Sequence, residues 1–265
     1  MNKSVLVGSI GGVVLVAGVL LLSAGNMGAF FSIPGLIVVL GGTLLATLVS
    51  RPVNEVRELI ESIPALFRPE VSTMERDVEQ LLRFARRYRV CDARAAEREL
   101  AAISNPFVAT GLRQVVEGCD LEDLGKSLQW RIAGERSQEN GQTQILYSMA
   151  TFAPAFGMLG TLFGLVHMLT GLGEAALNDI GSSMAFAMIT TVYGIIASNL
   201  LFKPLAIKRE RRTTQHLMQL TALMEGILQI QQKRHPMLIS DALEAYCAHY
   251  QAADSMSSPL TLVKA

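Results

Sequence analysis

Hydrophobic positions along the chain gather into four long runs separated by polar segments. Two runs lie near the amino terminus, at about residues 4–23 and 30–49, and two lie further along, at about 147–171 and 181–203. Each run approaches the ~20 apolar residues that carry a helix across a bilayer. The pattern therefore predicts an all-α integral membrane protein whose four transmembrane helices form two hairpins.

The charged residues collect between and after these hairpins. Residues 51–146 are rich in Arg and Glu, show helical periodicity, and are interrupted at Pro64, Pro69 and Asn105-Pro106. We predict a cytoplasmic helical region here, with buried faces formed by Leu81, Leu82 and Ala85 and by Leu112, Val115 and Val116.

Residues 205–265 form the last segment. It begins with a basic cluster, Lys208–Arg212, that suits lipid headgroups. It continues as an amphipathic helix that ends at His235-Pro236, followed by a short helix near 237–249 and a polar tail. The apolar positions of the amphipathic helix are Leu217, Leu220, Met224, Ile227 and Leu228.

The placement of Lys and Arg predicts the orientation. The segments 51–136 and Lys203–Arg212 are rich in Lys and Arg, whereas the loops 24–29 and 172–180 carry no Lys or Arg. Because cytoplasmic loops carry the excess of Lys and Arg, we expect both termini in the cytoplasm of a multi-pass inner-membrane protein. A cleaved signal peptide is the alternative for the first run, but that run is long for one and the second would remain.

Composition narrows the function. Half of the 265 residues are hydrophobic, mean hydropathy is +0.35 and the formal net charge is zero, so nothing suggests nucleic-acid binding. The odd count and wide spacing of Cys91, Cys119 and Cys247 argue against a disulfide framework or a zinc site. Catalytic constellations and phosphate-binding loops are missing, so we expect no enzyme, no cofactor and no metal site.

Small and hydroxyl residues recur at helical spacing in the second hairpin. They are Ala153, Gly157, Thr161 and Gly164 in one span, and Ser183, Ala187, Thr191, Gly194 and Ser198 in the other. The opposite sides are bulky, with Leu162, Phe163, Val166, Phe186, Ile189, Tyr193 and Ile196. The slim faces suit close helix packing, or a partner-facing, ion-lining surface with Thr161 and Thr191 as hydroxyls. In the first hairpin, Gly8 and Gly12, and Gly41 and Gly42, also suggest close packing.

Apart from Lys203, the last residue of the fourth run, neither span of the second hairpin contains Asp, Glu, Lys or Arg. Membrane proton relays and cation sites normally use an intramembrane carboxylate, so an ion pathway here needs an acid from another polypeptide. His167 lies near the outer end of its span, about one residue off the slim stripe, and a packing or interfacial role is favoured for it.

The chain resembles the flagellar motor stator subunit family, MotA and its sodium-type relative PomA. The resemblance rests on APAFGMLGTLFGLVHML (Ala153–Leu169), SMAFAMITTVYGIIASNLLFKPLA (Ser183–Ala206) and LMEGILQIQQKRHP (Leu223–Pro236). GGTLLATLV (Gly41–Val49) and NPFVATGLRQVVEGCD (Asn105–Asp120) extend it over nearly the whole chain. The second hairpin also resembles the wider group that contains TolQ and ExbB.

The resemblance implies a fold and a set of partners. Five copies of the chain would surround two copies of a MotB- or PomB-type subunit, which has one span, an essential membrane Asp and a peptidoglycan-binding domain. Flow of H⁺ or Na⁺ would turn the ring of five, and the cytoplasmic region would push on the rotor protein FliG.

The resemblance also implies roles for individual residues. Pro154 and Pro204 match prolines tied to coupling, although each also suits a helix end or kink. Thr161 and Thr191, with the neighbouring Thr190, match hydroxyls that face the partner and the ion route, on the stripe shared with Ala187, Gly157, Gly164 and Gly194. The rotor-facing candidates are Arg86, Arg87, Arg89, Glu97 and Glu99, with an uncertain register because this interval is about one residue longer than in the family.

Two other functions stay open on the sequence. The chain could be an ExbB/TolQ-like energiser of an envelope process, although those proteins usually have three spans. It could also be a membrane scaffold whose slim stripes only assemble helices. The Thr at 161 resembles the residue found in sodium-type relatives, which favours sodium as the coupling ion, but hydroxyls also suit proton routes through water.

Overall fold

A computed structural model describes residues 31–67, 74–89, 93–171 and 177–245. Within these ranges the backbone forms helices and the turns between them, and it contains no strand. The fold is therefore all-α, as predicted. The predicted span at 4–23, with Gly8 and Gly12, and most of the polar tail lie outside the described residues.

The helices follow one another through short connections. In chain order they are α1 (Ile33–Leu36), α2 (Gly42–Ser50), α3 (Val53–Leu66), α4 (Met74–Arg89), α5 (Ala93–Ala101), α6 (Pro106–Val116), α7 (Leu121–Gly171), α8 (Leu177–Ile196) and α9 (Lys203–Gln231). Two π-helical segments, Ile37–Gly41 and Ala197–Phe202, join α1 to α2 and α8 to α9. Residues 236–245 are also helical.

Helices long and apolar enough to cross a bilayer occur at three places in the described residues. They are the stretches Ile33–Ser50, Leu121–Gly171 and Ile180–Gln231. These stretches contain the predicted second, third and fourth spans, and their length and composition make the chain a membrane protein.

The helices that contain the later spans extend well beyond the apolar runs. The third span is the end of α7, a single helix of 51 residues, so no helix begins near residue 147. Pro154 lies in its interior, and Pro204 is the second residue of α9. Neither proline ends a helix. Pro204 lies in a first turn, where proline is tolerated, and Pro154 removes a single backbone hydrogen bond from the interior of α7. The π-helical segment Ala197–Phe202 directly precedes the first turn of α9.

The chain divides into two units, the first formed by residues 1–69 and 138–212. In this unit the buried face of α3, formed by Val56, Leu59 and Leu66, packs against α7 and α9. The buried residues on the other side of this contact are Ile145, Leu146, Leu205 and Ala206. The unit thus combines the apolar helices with one amphipathic helix.

The second unit is formed by residues 70–137 and 213–265. Its core takes side chains from α4, α6, the first part of α7, α9 and the 236–245 helix. The predicted buried residues Leu81, Ala85, Leu112 and Val115 are in this core, with Leu82 and Val116 partly buried against it, and Leu220 and Ile227 represent the amphipathic helix.

Local sequence explains where the helices of this unit begin and end. Asn105 caps α6 by accepting a bond from the backbone of Phe107 and donates at 2.7 Å to the buried carboxylate of Asp77. Gly118, with φ +78°, ends the same helix. Its N–H donates to Val115, and that of Cys119 donates to Gln114, which is the Schellman arrangement. The predicted break at Asn105-Pro106 is confirmed as a helix start. The predicted break at Pro64 is wrong, because α3 runs through Pro64 to Leu66.

Candidate functional site

The slim faces of α7 and α8 pack directly against each other in the first unit. A Cβ added at Gly157 would lie 2.9 Å from the carbonyl oxygen of Thr190, and one added at Gly194 would lie 2.6 Å from that of Ala153. Both contacts are with backbone, which cannot move aside as a side chain could. Glycine is therefore required at both positions for the two helices to approach this closely.

The same packing continues toward the carboxyl-terminal end of α7. A Cβ at Gly164 would lie 2.8 Å from the Cβ of Ala187, and one at Gly160 would lie 2.7 Å from Thr190. Thr190 is fully buried, and its hydroxyl donates to the carbonyl of Ala187 at 2.8 Å. Burial within the chain's own helix pair thus accounts for the size of Gly157, Gly164, Ala187, Thr190 and Gly194, as the close-packing alternative predicts.

Thr161 and Thr191 differ from these residues because each keeps part of its surface exposed. The hydroxyl of Thr161 donates to the carbonyl of Met158 at 2.5 Å. Its oxygen lone pairs then remain available to a neighbouring group. Of the predicted ion-pathway residues, these two have the exposure that a contact outside the chain requires.

Pro154 lies where the two helices touch, since a Cβ at Gly194 would come within 3.1 Å of its Cα. Proline has no N–H, so the carbonyl of Ala150, four residues earlier, loses its usual helical donor. The hydroxyl of Ser198, from the π-helical segment, donates to that carbonyl at 2.6 Å, and both residues are buried. The missing bond is therefore replaced from the opposite helix.

The α1–α2 segment packs on the same pair. The ring of Phe156 lies so close to Gly42 that an added Cβ would be 2.2 Å from it. The hydroxyl of Tyr193 accepts a bond from the backbone N–H of Ser32 at 2.9 Å. Close packing is confirmed for Gly42, whereas among the described residues a Cβ added at Gly41 would meet only the side chain of Ile37, at 4.0 Å.

His167 is exposed and lines an open cleft between α7 and α8, close to the end of α7. The other lining residues are Phe163, Gly164, Ser182, Ser183 and Phe186. Among the described residues, these lining side chains include no carboxylate.

The rotor-facing candidates lie on α4 and α5 of the second unit. Arg86, Arg87 and Arg89 are exposed in the last turn of α4, and Glu97 is exposed on α5, with Glu99 half-buried. Neighbouring α4 charges pair locally: Arg83 donates to Glu79 at 2.5 Å. That bond and the charge of Arg83 lower the pKa of Glu79, while Glu79 and, less strongly, Glu99 raise the pKa of Arg83.

Sequence reasoning missed a polar cluster at the end of the apolar stretches that adjoins the charged segments. Arg209 donates to the hydroxyl of Ser62 at 3.0 Å and to the side-chain oxygen of Gln142, joining α9 to α3 and α7. Tyr147 donates to Glu210 at 2.7 Å, and Arg51 donates to Gln144 at 2.9 Å. Apart from the basic cluster that contains Arg209, the sequence pattern gives no signal for these partners.

Sequence reasoning also missed two buried threonines. The hydroxyls of Thr43 and Thr47 donate to backbone carbonyls four residues earlier. Their four-residue spacing in the sequence was a signal that these two residues share one helical face.

In the described part of the chain, no group of three or more His, Cys, Asp or Glu side chains could hold a metal ion.

Comparison with known proteins identifies related sequences. Residues 99–222 match the model of the MotA/TolQ/ExbB proton channel family. "Motility protein A" of Borreliella burgdorferi is 30% identical over 221 residues, which are 83% of this chain and 84% of that protein. "Chemotaxis protein PomA" of Vibrio alginolyticus is 29% identical over 246 residues, 93% of this chain and 95% of that protein.

Two solved structures share the fold. The structure of C. jejuni MotAB superimposes with a TM-score of 0.82 at 19% identity, covering 93% of this chain and 96% of the other. The flagellar MotAB stator complex from Bacillus subtilis gives a TM-score of 0.81 at 20% identity, covering 96% and 98%. The likeness extends over nearly the full length of each chain.

Proposed function

The chain belongs to the MotA/TolQ/ExbB proton channel family, and from this premise we propose that it is a flagellar motor stator subunit. The observation that carries the proposal is its similarity to proteins named motility protein A over far more of the chain than residues 99–222. The likeness to solved MotAB structures agrees with it.

In this proposal the chain works with a MotB- or PomB-type partner that supplies a membrane carboxylate. The absence of Asp and Glu from both spans of the second hairpin supports this division of roles. Two partner copies inside a ring of five chains would conduct H⁺ or Na⁺. Each elementary charge crossing ~100 mV releases about 2.3 kcal/mol, which is available to bias rotation.

The proposed layout places both termini and residues 51–146 in the cytoplasm of the bacterial inner membrane. Thr161 and Thr191 would face the partner's span, and their partial exposure supports that role. Exposure of Arg86, Arg87 and Glu97 likewise supports contacts with the rotor protein FliG. Pro154 and Pro204 would couple ion passage to movement of the helices.

The test is swimming speed and tethered-cell rotation in a strain whose own stator subunit is replaced by this chain. Thr191→Val, and more weakly Thr161→Val, should slow rotation while the protein remains inserted in the membrane. Thr170→Val is the matched control, because Thr170 is exposed and its hydroxyl only donates to its own helix at His167. Normal motility in both test variants would contradict the proposed ion route.

The ExbB/TolQ-like energiser is the second candidate, favoured by the family model, whose match omits the first hairpin. Restored rotation in the complemented strain would exclude it as the main role. Replacing sodium in the medium while recording rotation speed then identifies the coupling ion. Speed that follows sodium indicates a sodium-type stator, and speed that follows the proton gradient indicates a proton-type one.

A further inference from the structure

The exposed surface of α3 is divided into an apolar sector and a charged sector. At ~100° per residue, Val53, Ile60 and Pro64 fall on one side of this helix, and Phe67 follows in the turn at its end. Val53, Ile60 and Phe67 are 65%, 53% and 55% exposed. Three large apolar side chains that are exposed along one side of an otherwise well-packed helix indicate that this side contacts an apolar environment.

The other sides of α3 contact protein or carry polar and charged side chains. Val56, Leu59 and Leu66 pack on α7 and α9, next to the apolar sector. Asn54, Arg57, Glu58 and Glu61 occupy the opposite exposed side, where Arg57 and Glu61 pair at 2.9 Å. The helix therefore presents one side to protein, one to water, and between them an apolar strip about 60° wide.

The position of α3 in the chain places it at the edge of the bilayer. Its first residue comes three residues after Ser50, the end of a membrane-spanning stretch, so it lies within about 11 Å of that end. The exposed apolar surface of that stretch, which includes Leu45 and Val49, continues along the chain into Val53.

The contacts of α3 place it at the same level on the other two spans. Its buried face packs on Ile145 and Leu146, where the apolar run of α7 begins, and on Leu205 and Ala206, just after the run that ends at Lys203. Arg51 bonds Gln144 at this level. All three spans thus meet α3 where their apolar runs give way to charge, which is the headgroup region of a bilayer.

From this placement we propose that α3 is an interfacial helix whose Val53–Ile60–Phe67 strip is buried in the lipid of the inner leaflet. Interfacial helices of this kind insert an apolar side at the headgroup–acyl boundary and keep a charged side in water. Lys208, whose Nζ lies 4.7 Å from the ring centre of Phe67, extends the strip to a cation at headgroup level. The inference needs only the membrane location of the chain and not its role in ion coupling.

The test uses tryptophan fluorescence of the full chain in lipid vesicles. The one native tryptophan, Trp130, is removed by Trp130→Phe. Ile60→Trp then places a reporter in the apolar strip, and Phe67→Trp places a second one with a conservative aromatic change. Glu58→Trp is the matched control on the charged side of the same helix.

Vesicles of brominated and unbrominated phosphatidylcholine are compared, with acrylamide as the quencher from water. We expect bromolipid to reduce the emission of the Ile60→Trp and Phe67→Trp proteins, while the Glu58→Trp protein is quenched by acrylamide only. Quenching of the strip reporters by acrylamide alone would overturn the proposal. Protection from both quenchers would also overturn it and would indicate that another protein surface covers the strip. Rotation assays report on the proposed stator role separately.

Discussion

Replacing Ser198 by alanine tests whether its hydroxyl substitutes for the backbone bond that Pro154 removes. The hydroxyl donates to the carbonyl of Ala150 at 2.6 Å, and the site is buried. In Ser198→Ala that carbonyl is left without a donor from either helix. Leaving a buried acceptor unpaired costs about 1–3 kcal/mol in soluble proteins. Interhelical bonds in a membrane protein average about 0.6 kcal/mol with a maximum near 1.7. We therefore expect a loss of about 1–1.5 kcal/mol, toward the upper end of the membrane range, because proline has removed the local alternative.

The decisive measurement is a double-mutant cycle with Pro154→Ala. An alanine at 154 restores an N–H that can donate to the carbonyl of Ala150, so Ser198→Ala should then leave no unpaired acceptor. Its cost should fall to about 0.5 kcal/mol or less. The free energies come from equilibrium unfolding of the four proteins in mixed micelles.

A control and a refuting result complete this experiment. Ser148→Ala removes a hydroxyl that donates within its own helix, to Gln144, and should be nearly neutral in either background. If Ser198→Ala costs the same with proline and with alanine at 154, within about 0.3–0.5 kcal/mol, the two sites are independent. The compensation argument would then be wrong.

Three further predictions follow from the packing, the helix ends and the charges. Gly194→Ala should cost about 1–3 kcal/mol in unfolding experiments, because its Cβ would overlap backbone. Gly141→Ala is the control, because a Cβ added there has no described atom within 4 Å; its unfolding free energy should stay unchanged or rise by up to about 1 kcal/mol. Equal losses of unfolding free energy at 194 and 141 would contradict the packing argument. Lys233→Gly should raise the unfolding free energy by about 1 kcal/mol, since Lys233 has φ +55° at the end of α9, and an unchanged melting temperature would count against strain there. Arg83→Gln should raise the pKa of Glu79 toward its ordinary value, as measured by an NMR titration. The pair stabilises the fold above the pKa of the unfolded carboxyl group, and this stabilisation is lost as the pH falls through the lowered pKa of folded Glu79. An unchanged titration midpoint of Glu79 in the variant would refute the pairing.

The apolar helices that contain the second, third and fourth predicted spans were predictable because bilayer thickness fixes the length of an apolar helix. The continuity of α7 from residue 121 into the third span was not predicted. The stretch 121–146 is polar and contains Gly125, Gly134 and Gly141, which weaken a helical prediction. The structure nevertheless continues α7 through it without a break. Glycine costs a helix only about 1 kcal/mol, and within α7 no proline precedes Pro154.

The candidate site was predictable as a pattern but not as a set of neighbours. Helical spacing identified the slim stripes, yet it gave no information on what covers them, and the structure covers most of them with the chain's own helices. Gly41 and Gly42 show the limit clearly. They are adjacent in sequence and about 100° apart on a helix, and among the described residues the ring of Phe156 requires glycine at 42 but not at 41.

The hydrogen bond of Thr161 bears on the step at which the proposed stator loads its ion. Because the hydroxyl proton of Thr161 is donated to Met158, the side chain offers only lone pairs to a partner. Lone pairs can accept a bond from a protonated carboxyl group or coordinate a cation, but they cannot stabilise a bare carboxylate. A partner acid that faces Thr161 is therefore stabilised in its loaded form relative to its empty form. The threonine would thus act by favouring ion loading, and Thr161→Val should slow rotation most when the driving ion is scarce and least when it is saturating.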